Sequence, residues 1–170
     1  MRKLSALLAA SAALVIATPA VAAPVAAVPP AQGRALILIP LTLVKMDDLH
    51  FGTILPSAIS GTVTVPATGG AATTTGGVTL IPSDPVVRAR FAGAGVPNRM
   101  VVIDVTNPGT LDNGLGDSVT VLALTLDGSP LRTIDASRAF YFHVGGILQV
   151  GANQPEGFYQ SDYDVTVQYL

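Results

Sequence analysis

The sequence predicts an all-β fold, an immunoglobulin-like antiparallel β-sandwich of about nine short strands. Three observations predict it. Side chains alternate between apolar and polar over short stretches, as in Val165-Thr-Val-Gln-Tyr169, and successive strand residues point to opposite faces. Gly, Pro, Asn and Asp interrupt the chain at short intervals, which marks turns. Beyond the N-terminal apolar run, no stretch reads as a helix. A small closed barrel is the alternative arrangement for such strands.

The chain opens Met-Arg-Lys, runs apolar from Leu4 to Ala17 and reaches Pro19-Ala-Val-Ala-Ala23. A basic start, a short apolar run and a small-x-small site predict a secretory signal peptide over residues 1–22, cleaved after Ala22. The run is too short for a comfortable membrane span, and no later segment is long and apolar enough to be one. Residues 23–33 are rich in Ala and Pro and read as an extended leader. Residues 34–170 read as a single sandwich domain.

Ala35-Leu-Ile-Leu-Ile-Pro-Leu-Thr-Leu-Val44 is apolar on both parities. Pro40 and the β-branched residues argue against a helix and for a strand buried on both faces. Pro40 cannot donate to a ladder, so it marks an edge or a bulge. Asp47-Asp48 marks a turn. Leu49 and Phe51 then share a parity, and Gly52 signals a bulge or a close backbone approach. Gly61-Thr-Val-Thr-Val-Pro66 is a short strand with Val63 and Val65 inward, and Val78-Thr-Leu-Ile81 is another. Val87, Ala89 and Phe91 face in on the next strand, followed by Val101, Ile103 and Val105.

Residues 107–117 are turn-rich. From Val119 to Leu126 the apolar parity changes at Leu122, which calls for a bulge or for burial of both faces. Asp127-Gly128 is a hairpin turn signal, and residues 129–137 connect onward. Phe140, Phe142, Val144, Leu148 and Val150 share one parity, with Gly145-Gly146 interrupting them. The last strand starts at Tyr159. It carries Tyr159, Tyr163, Val165, Val167 and Tyr169 on one face and Gln160, Asp162, Asp164, Thr166 and Gln168 on the other.

Composition narrows the function classes. The formal net charge is −2 at pH 7, and removing Arg2 and Lys3 with the signal makes it more negative. No basic patch is present, which argues against nucleic acid as a partner. The chain has no cysteine, so an exported fold of this sequence stands on packing without disulfides. Charged residues are sparse, which suits a compact chain or one covered by copies of itself.

No stretch supplies recognisable catalytic machinery. His50 and His143 are far apart, and both have the parity opposite to their apolar neighbours. There is no Gly-x-Ser-x-Gly elbow. Asp112-Asn-Gly-Leu-Gly-Asp117 fails the calcium-loop spacing and offers too few oxygens. The paired glycines lack the Lys-Ser/Thr of a phosphate loop. The sequence therefore predicts no enzyme, cofactor or metal site.

A set of short motifs follows in order: Ile39-Pro-Leu-Thr-Leu43, Leu49-His-Phe-Gly-Thr-Ile54, Gly76-Gly-Val78, Val96-Pro-Asn98, Val144-Gly-Gly-Ile-Leu148, Gly157-Phe-Tyr159 and Val165-Thr-Val-Gln-Tyr169. In that order they resemble a secreted bacterial family, domain of unknown function 4402, over nearly the whole mature chain. More distantly, the Phe-Gly motif and the terminal strand are similar to spore-coat-U-type pilins. That resemblance implies an incomplete immunoglobulin fold. It also implies a periplasmic chaperone and an outer-membrane usher as partners, and a neighbour's N-terminal segment beside the last strand. The chain lacks the cysteine pair of those pilins. Residues 23–33, with small side chains and a Pro-Pro pair, make a poor strand donor.

The expectation is a non-enzymatic exported structural protein, a fimbria-like or cell-surface assembly subunit that works by β-strand pairing. Its location is the periplasm, the cell surface or the extracellular space. Its partners are copies of itself or a chaperone and usher. The pairing residues are Ile37, Ile39, Leu41 and Leu43 on the first strand, and Tyr159, Tyr163, Val165, Val167 and Tyr169 on the last. The alternative is a self-contained secreted sandwich that binds a carbohydrate, a lipid or a protein. In that case the first strand pairs within its own domain.

Overall fold

The computed structural model describes residues 24–170. The signal peptide expected over residues 1–22 lies outside the described residues. The chain divides into two units, Met1–Leu36 and Ile37–Leu170. In the first unit, residues 24–36 are exposed and form no strand.

The second unit is an antiparallel β-sandwich, with no helix among the described residues. Its strands are β1 (Thr42–Asp47), β2 (Ile54–Leu55), β3 (Gly61–Val65), β4 (Thr73–Thr74), β5 (Thr79–Leu80), β6 (Ala89–Ala94), β7 (Met100–Val105), β8 (Thr110–Asp112), β9 (Ser118–Leu126), β10 (Leu131–Thr133), β11 (Ala139–Val150) and β12 (Val165–Tyr169). The strands outnumber the expectation because three stretches read as connections also pair, the first being β4, which lies in the Gly/Thr/Ala-rich stretch 67–77 and joins β3. β8 lies in the turn-rich loop and joins β9, and β10 follows the Asp127-Gly128 turn and joins β7.

β11 organises the larger sheet. Val144 is opposite both Ala89 of β6 and Leu126 of β9, and residues 146–149 are opposite both β3 and β9. A strand residue has two edges, so β9 takes one edge of β11 while β6 and then β3 share the other. β1 adds outside β6, β4 outside β3 and β8 outside β9. The second sheet has the order β10-β7-β12, and β2 and β5 form a small ribbon.

Gly145 is the point where the edge changes hands. Contrary to the sequence reading, Gly145-Gly146 does not interrupt the strand but lies inside it. A Cβ on Gly145 would run into the carbonyl of Val65 and the backbone of Ala67 as the chain leaves β3. Only glycine allows that approach.

Two core clusters meet along β11. Phe140, Phe142 and Val144 pack with Ala89 and Phe91 of the same sheet and with Val101 and Ile103 of the facing one. Leu148 and Val150 pack with Phe51, Val63, Val65, Val119 and Val121. Phe142 stacks on Phe91 at 5.1 Å between ring centroids and lies 6.3 Å from Phe140, an offset geometry that adds to area burial.

The parity change in β9 is a bulge. Ile147 is opposite Ala123 and Leu148 is opposite Val121, so Leu122 is the extra residue and is exposed. Gly52 has φ +77° and sits where a Cβ would lie 3.0 Å from the Asp84 carbonyl, the close approach that the sequence signals. Two expectations need correction. Val87 is 41% exposed and makes only an isolated bridge to His50, because β6 begins two residues later. Residues 35–41 are outside any strand; the ladder starts at Thr42, after the proline that cannot join it.

Phe142→Ala should lower unfolding free energy by about 3–5 kcal/mol through the cavity it leaves. Gly145→Ala should lower it by about 1–3 kcal/mol through overpacking at the edge handover. Urea unfolding of both variants checks these values.

Candidate functional site: an open seam between the first and last strands

The first and last strands do not pair with each other. β1 pairs with β6 of the same chain, and β12 pairs with β7 in the facing sheet. Each is the outermost strand of its sheet. The first strand therefore completes its own domain's sheet, and its outer edge lies along the same margin of the sandwich as that of β12.

The nine residues singled out from the sequence divide accordingly. Leu41 and Leu43 are half-buried and pack on the cluster around Phe142. Ile37 is 93% exposed and Ile39 is 47% exposed, both ahead of β1. Tyr163, Val165, Val167 and Tyr169 pack half-buried on that cluster, whereas Tyr159 packs on the cluster around Val121. Tyr159 and Tyr163 precede the ladder, which runs only over Val165–Tyr169. Residues 159–164 instead pass over β8, touching it through one bridge between Asp112 and Gln160.

The free edge of β12 follows from its pairing. Thr106 N–H donates to the Asp164 carbonyl and Leu170 N–H to the Met100 carbonyl. Both backbone groups of a residue point the same way in an antiparallel ladder, and neighbours point oppositely. The backbone groups of Val165, Val167 and Tyr169 therefore face outward, where no strand among the described residues pairs with them. The strand carries neither a charge nor a proline, the usual protections of an exposed edge.

At one end the seam is closed. The Tyr169 hydroxyl accepts from Val96 N–H at 2.8 Å and donates to the Ile39 carbonyl at 3.0 Å. From there the seam widens into a groove of about 1620 Å³. Leu43 and Lys45 stand on one wall and Val165 and Tyr163 on the other, and core residues Phe91, Val121 and Leu148 form the floor. Asp48, Asp84, Glu156 and Asp162 line its rim, so the mouth is acidic. Lys45 is paired with Asp48, and that bond and charge raise its pKa. Burial pushes the Tyr163 hydroxyl up to about 12, with the charge of Asp48 adding to the effect.

The floor residues read in the sequence as ordinary core positions, and no local signal marks them as groove residues. Phe158, 75% exposed beside the groove, was singled out only as part of a motif.

Of the two histidines, His50 lines the groove and His143 lies away from it. His50 Nε2 is 3.8 Å from Asp84, at the surface. His143 Nδ1 lies 2.9 Å from Asp127 Oδ2, while Arg132 donates to Asp127 Oδ1 at 2.5 Å. Asp127 is thus engaged on both oxygens. It fastens the turn after β9 to β11 and, through Arg132 on β10, to the facing sheet. Burial alone would raise its pKa, but the hydrogen bond with His143 and the charge and hydrogen bond of Arg132 outweigh it and hold the carboxyl below 3.8. Among the described residues no group of three or more potential ligands could hold a metal ion, and no helix is long and apolar enough to cross a membrane.

A carboxyl with a lowered folded-state pKa contributes stability that is present above its unfolded value and lost as pH falls through the folded one. The urea midpoint of the wild type should therefore drop as pH is lowered from about 5 to 2, and Asp127→Asn should flatten part of that drop. Equilibrium unfolding across that range checks it.

No curated protein and no solved structure matches the chain. The family described as a domain of unknown function (DUF4402) matches residues 41–169, from just before β1 to the end of β12. The chain belongs to that family.

Proposed function

We propose that the protein is an exported structural subunit that assembles by β-strand addition, taking a strand from a second copy into the seam between β1 and β12. The observation that carries this reading is the unpaired edge of β12, whose first residue, Val165, borders a groove floored by the core. Such an edge supplies a main-chain ladder, and the groove takes alternate side chains. The basic, apolar and small-x-small start of the sequence supports export. Copies of the chain are the partners this reading uses, and a periplasmic chaperone and usher are what the distant pilin resemblance adds.

The donor is the stretch just ahead of β1. Residues 35–39, Ala-Leu-Ile-Leu-Ile, are apolar and lie outside any strand, with Leu36 69% exposed, Ile37 93% exposed and the Ile39 carbonyl bonded to the Tyr169 hydroxyl. The stretch has five residues, as β12 does. Arg34 is the sole charged residue of residues 24–44, and the groove mouth is acidic. The donor thus begins at Arg34, beyond the Ala/Pro-rich leader that makes a poor strand.

A second reading, a self-contained sandwich that binds a lipid, carbohydrate or protein in the groove, draws on the pairing of β1 with β6, since the fold then needs no donor. Deleting residues 24–38 separates the two. The assembly reading expects a folded monomer that no longer forms multimers, and expects Leu36→Asp with Leu38→Asp to do the same. Size-exclusion profiles, with detergent-gel ladders of unheated protein, are the measurement. A monomeric full-length protein at every concentration, with no such ladder, sinks the reading.

A further inference from the structure

The stretch ahead of β1 is tied to its own domain at one point. Between Ile37 and Leu41, the one hydrogen bond among the described residues runs from the Tyr169 hydroxyl to the Ile39 carbonyl, at 3.0 Å. On one side of this point the chain is loose: Ile37 is 93% exposed. On the other side it is held, because Leu41 packs on the cluster around Phe142 and the ladder with β6 begins at Thr42. The boundary between loose and held chain falls at Ile39-Pro40. Pro40 has no N–H with which to tie itself down, and it keeps Ile39 extended.

The tyrosine that makes this bond is well placed to do so. Its hydroxyl accepts from the Val96 N–H at 2.8 Å. That bond uses a lone pair and leaves the single proton of the phenol for the Ile39 carbonyl. Gly95 leaves room for the arrangement. A Cβ there would crowd the Tyr169 hydroxyl and would lie 2.8 Å from both Ile134 Cδ1 and Leu41 Cδ1.

We infer that the bond between Tyr169 and Ile39 is an autoinhibitory latch: it holds the donor stretch on its own seam and has to open before that stretch extends into a second copy. The inference rests on the assembly reading above. Exposed apolar chain beside a free sheet edge invites uncontrolled association, and the latch restrains it. The sign of the effect follows from which bond changes. The Val96 bond is present whether the stretch is held or released, so it cancels from the assembly equilibrium. The Ile39 bond exists only in the held state. The Tyr169 hydroxyl therefore favours the monomer, the opposite of what a residue that binds the inserted strand does.

Sedimentation of the full-length protein over a range of concentrations tests this. Tyr169→Phe keeps the ring and loses the latch, and it should lower the concentration at which half the protein is assembled by about two- to tenfold, the worth of one neutral hydrogen bond. Gly95→Ala reaches the same bond from the other side, since its methyl displaces the hydroxyl, and should act in the same direction. Tyr159→Phe also loses a hydroxyl with two partners, Pro155 and Gln154, and should not lower the midpoint. Tyr169→Phe combined with Leu36→Asp and Leu38→Asp should stay monomeric, because the latch is open but the donor is spoiled.

A wild type that assembles, with Tyr169→Phe and Gly95→Ala at the same or a higher midpoint, overturns the latch and leaves the assembly reading standing. An equal fall in Tyr159→Phe also overturns it, since loss of any such hydroxyl then suffices. Multimers that persist in the combined variant overturn it too, because the gain then does not pass through the donor. No assembly by the wild type, Tyr169→Phe or Gly95→Ala overturns both.

Discussion

β11 has two edges and three strands to place on them, and the rest of the sandwich depends on how that is done. β9 takes one edge, and β6 and β3 take successive halves of the other, with Gly145 at the handover. Because one strand runs through both core clusters, its apolar residues fix the two halves of the domain against each other. The phenylalanines stack within the larger sheet and pack against Val101 and Ile103 of the facing one, and Leu148 and Val150 pack with Val63, Val65, Val119 and Val121 of their own sheet and with Phe51. A side chain at position 145 has nowhere to go.

That arrangement sets where the domain is open. β1 is carried outward on β6, and β12 is carried outward on β7 in the facing sheet, so both lie along one margin without pairing. As the edges of different sheets, the two strands form no ladder with each other. The margin is held at one end by the Tyr169 hydroxyl and widens where β1 gives way to the Asp47-Asp48 turn. The groove is thus a consequence of how the strands are distributed between sheets, and its floor is the ordinary core viewed from the side.

Much of the strand pattern was legible locally. Val63 and Val65, Val101 and Ile103, and Phe140, Phe142 and Val144 alternate as period-two strands must, and all are buried. The bulge at Leu122 was legible too, because a change of apolar parity within one strand has few physical causes. Legibility failed where pairing, not patterning, decides. Residues 35–41 have the composition of a buried strand yet form none, and Val87 fits the inward parity of its segment yet lies ahead of the ladder. The short strands β8 and β10 read as loops, because they owe their pairing to β9 and β7 and not to their own composition.

For the candidate site the division is similar. Alternation alone established that the residues after Tyr159 have an apolar side that must be covered, and that residues 35–44 are too apolar to be left in water without consequence. Each is a property of side chains, and side chains are what a sequence records. Whether those two stretches meet was decided by tertiary structure, since hydrogen-bonding partners at long separation are chosen by the competition among all edges at once. β6 and β7 won that competition. What remained was the outer edges of β1 and β12, one apolar stretch outside any strand and a tyrosine bonded across the seam between them, none of which can be read from the local order of residues.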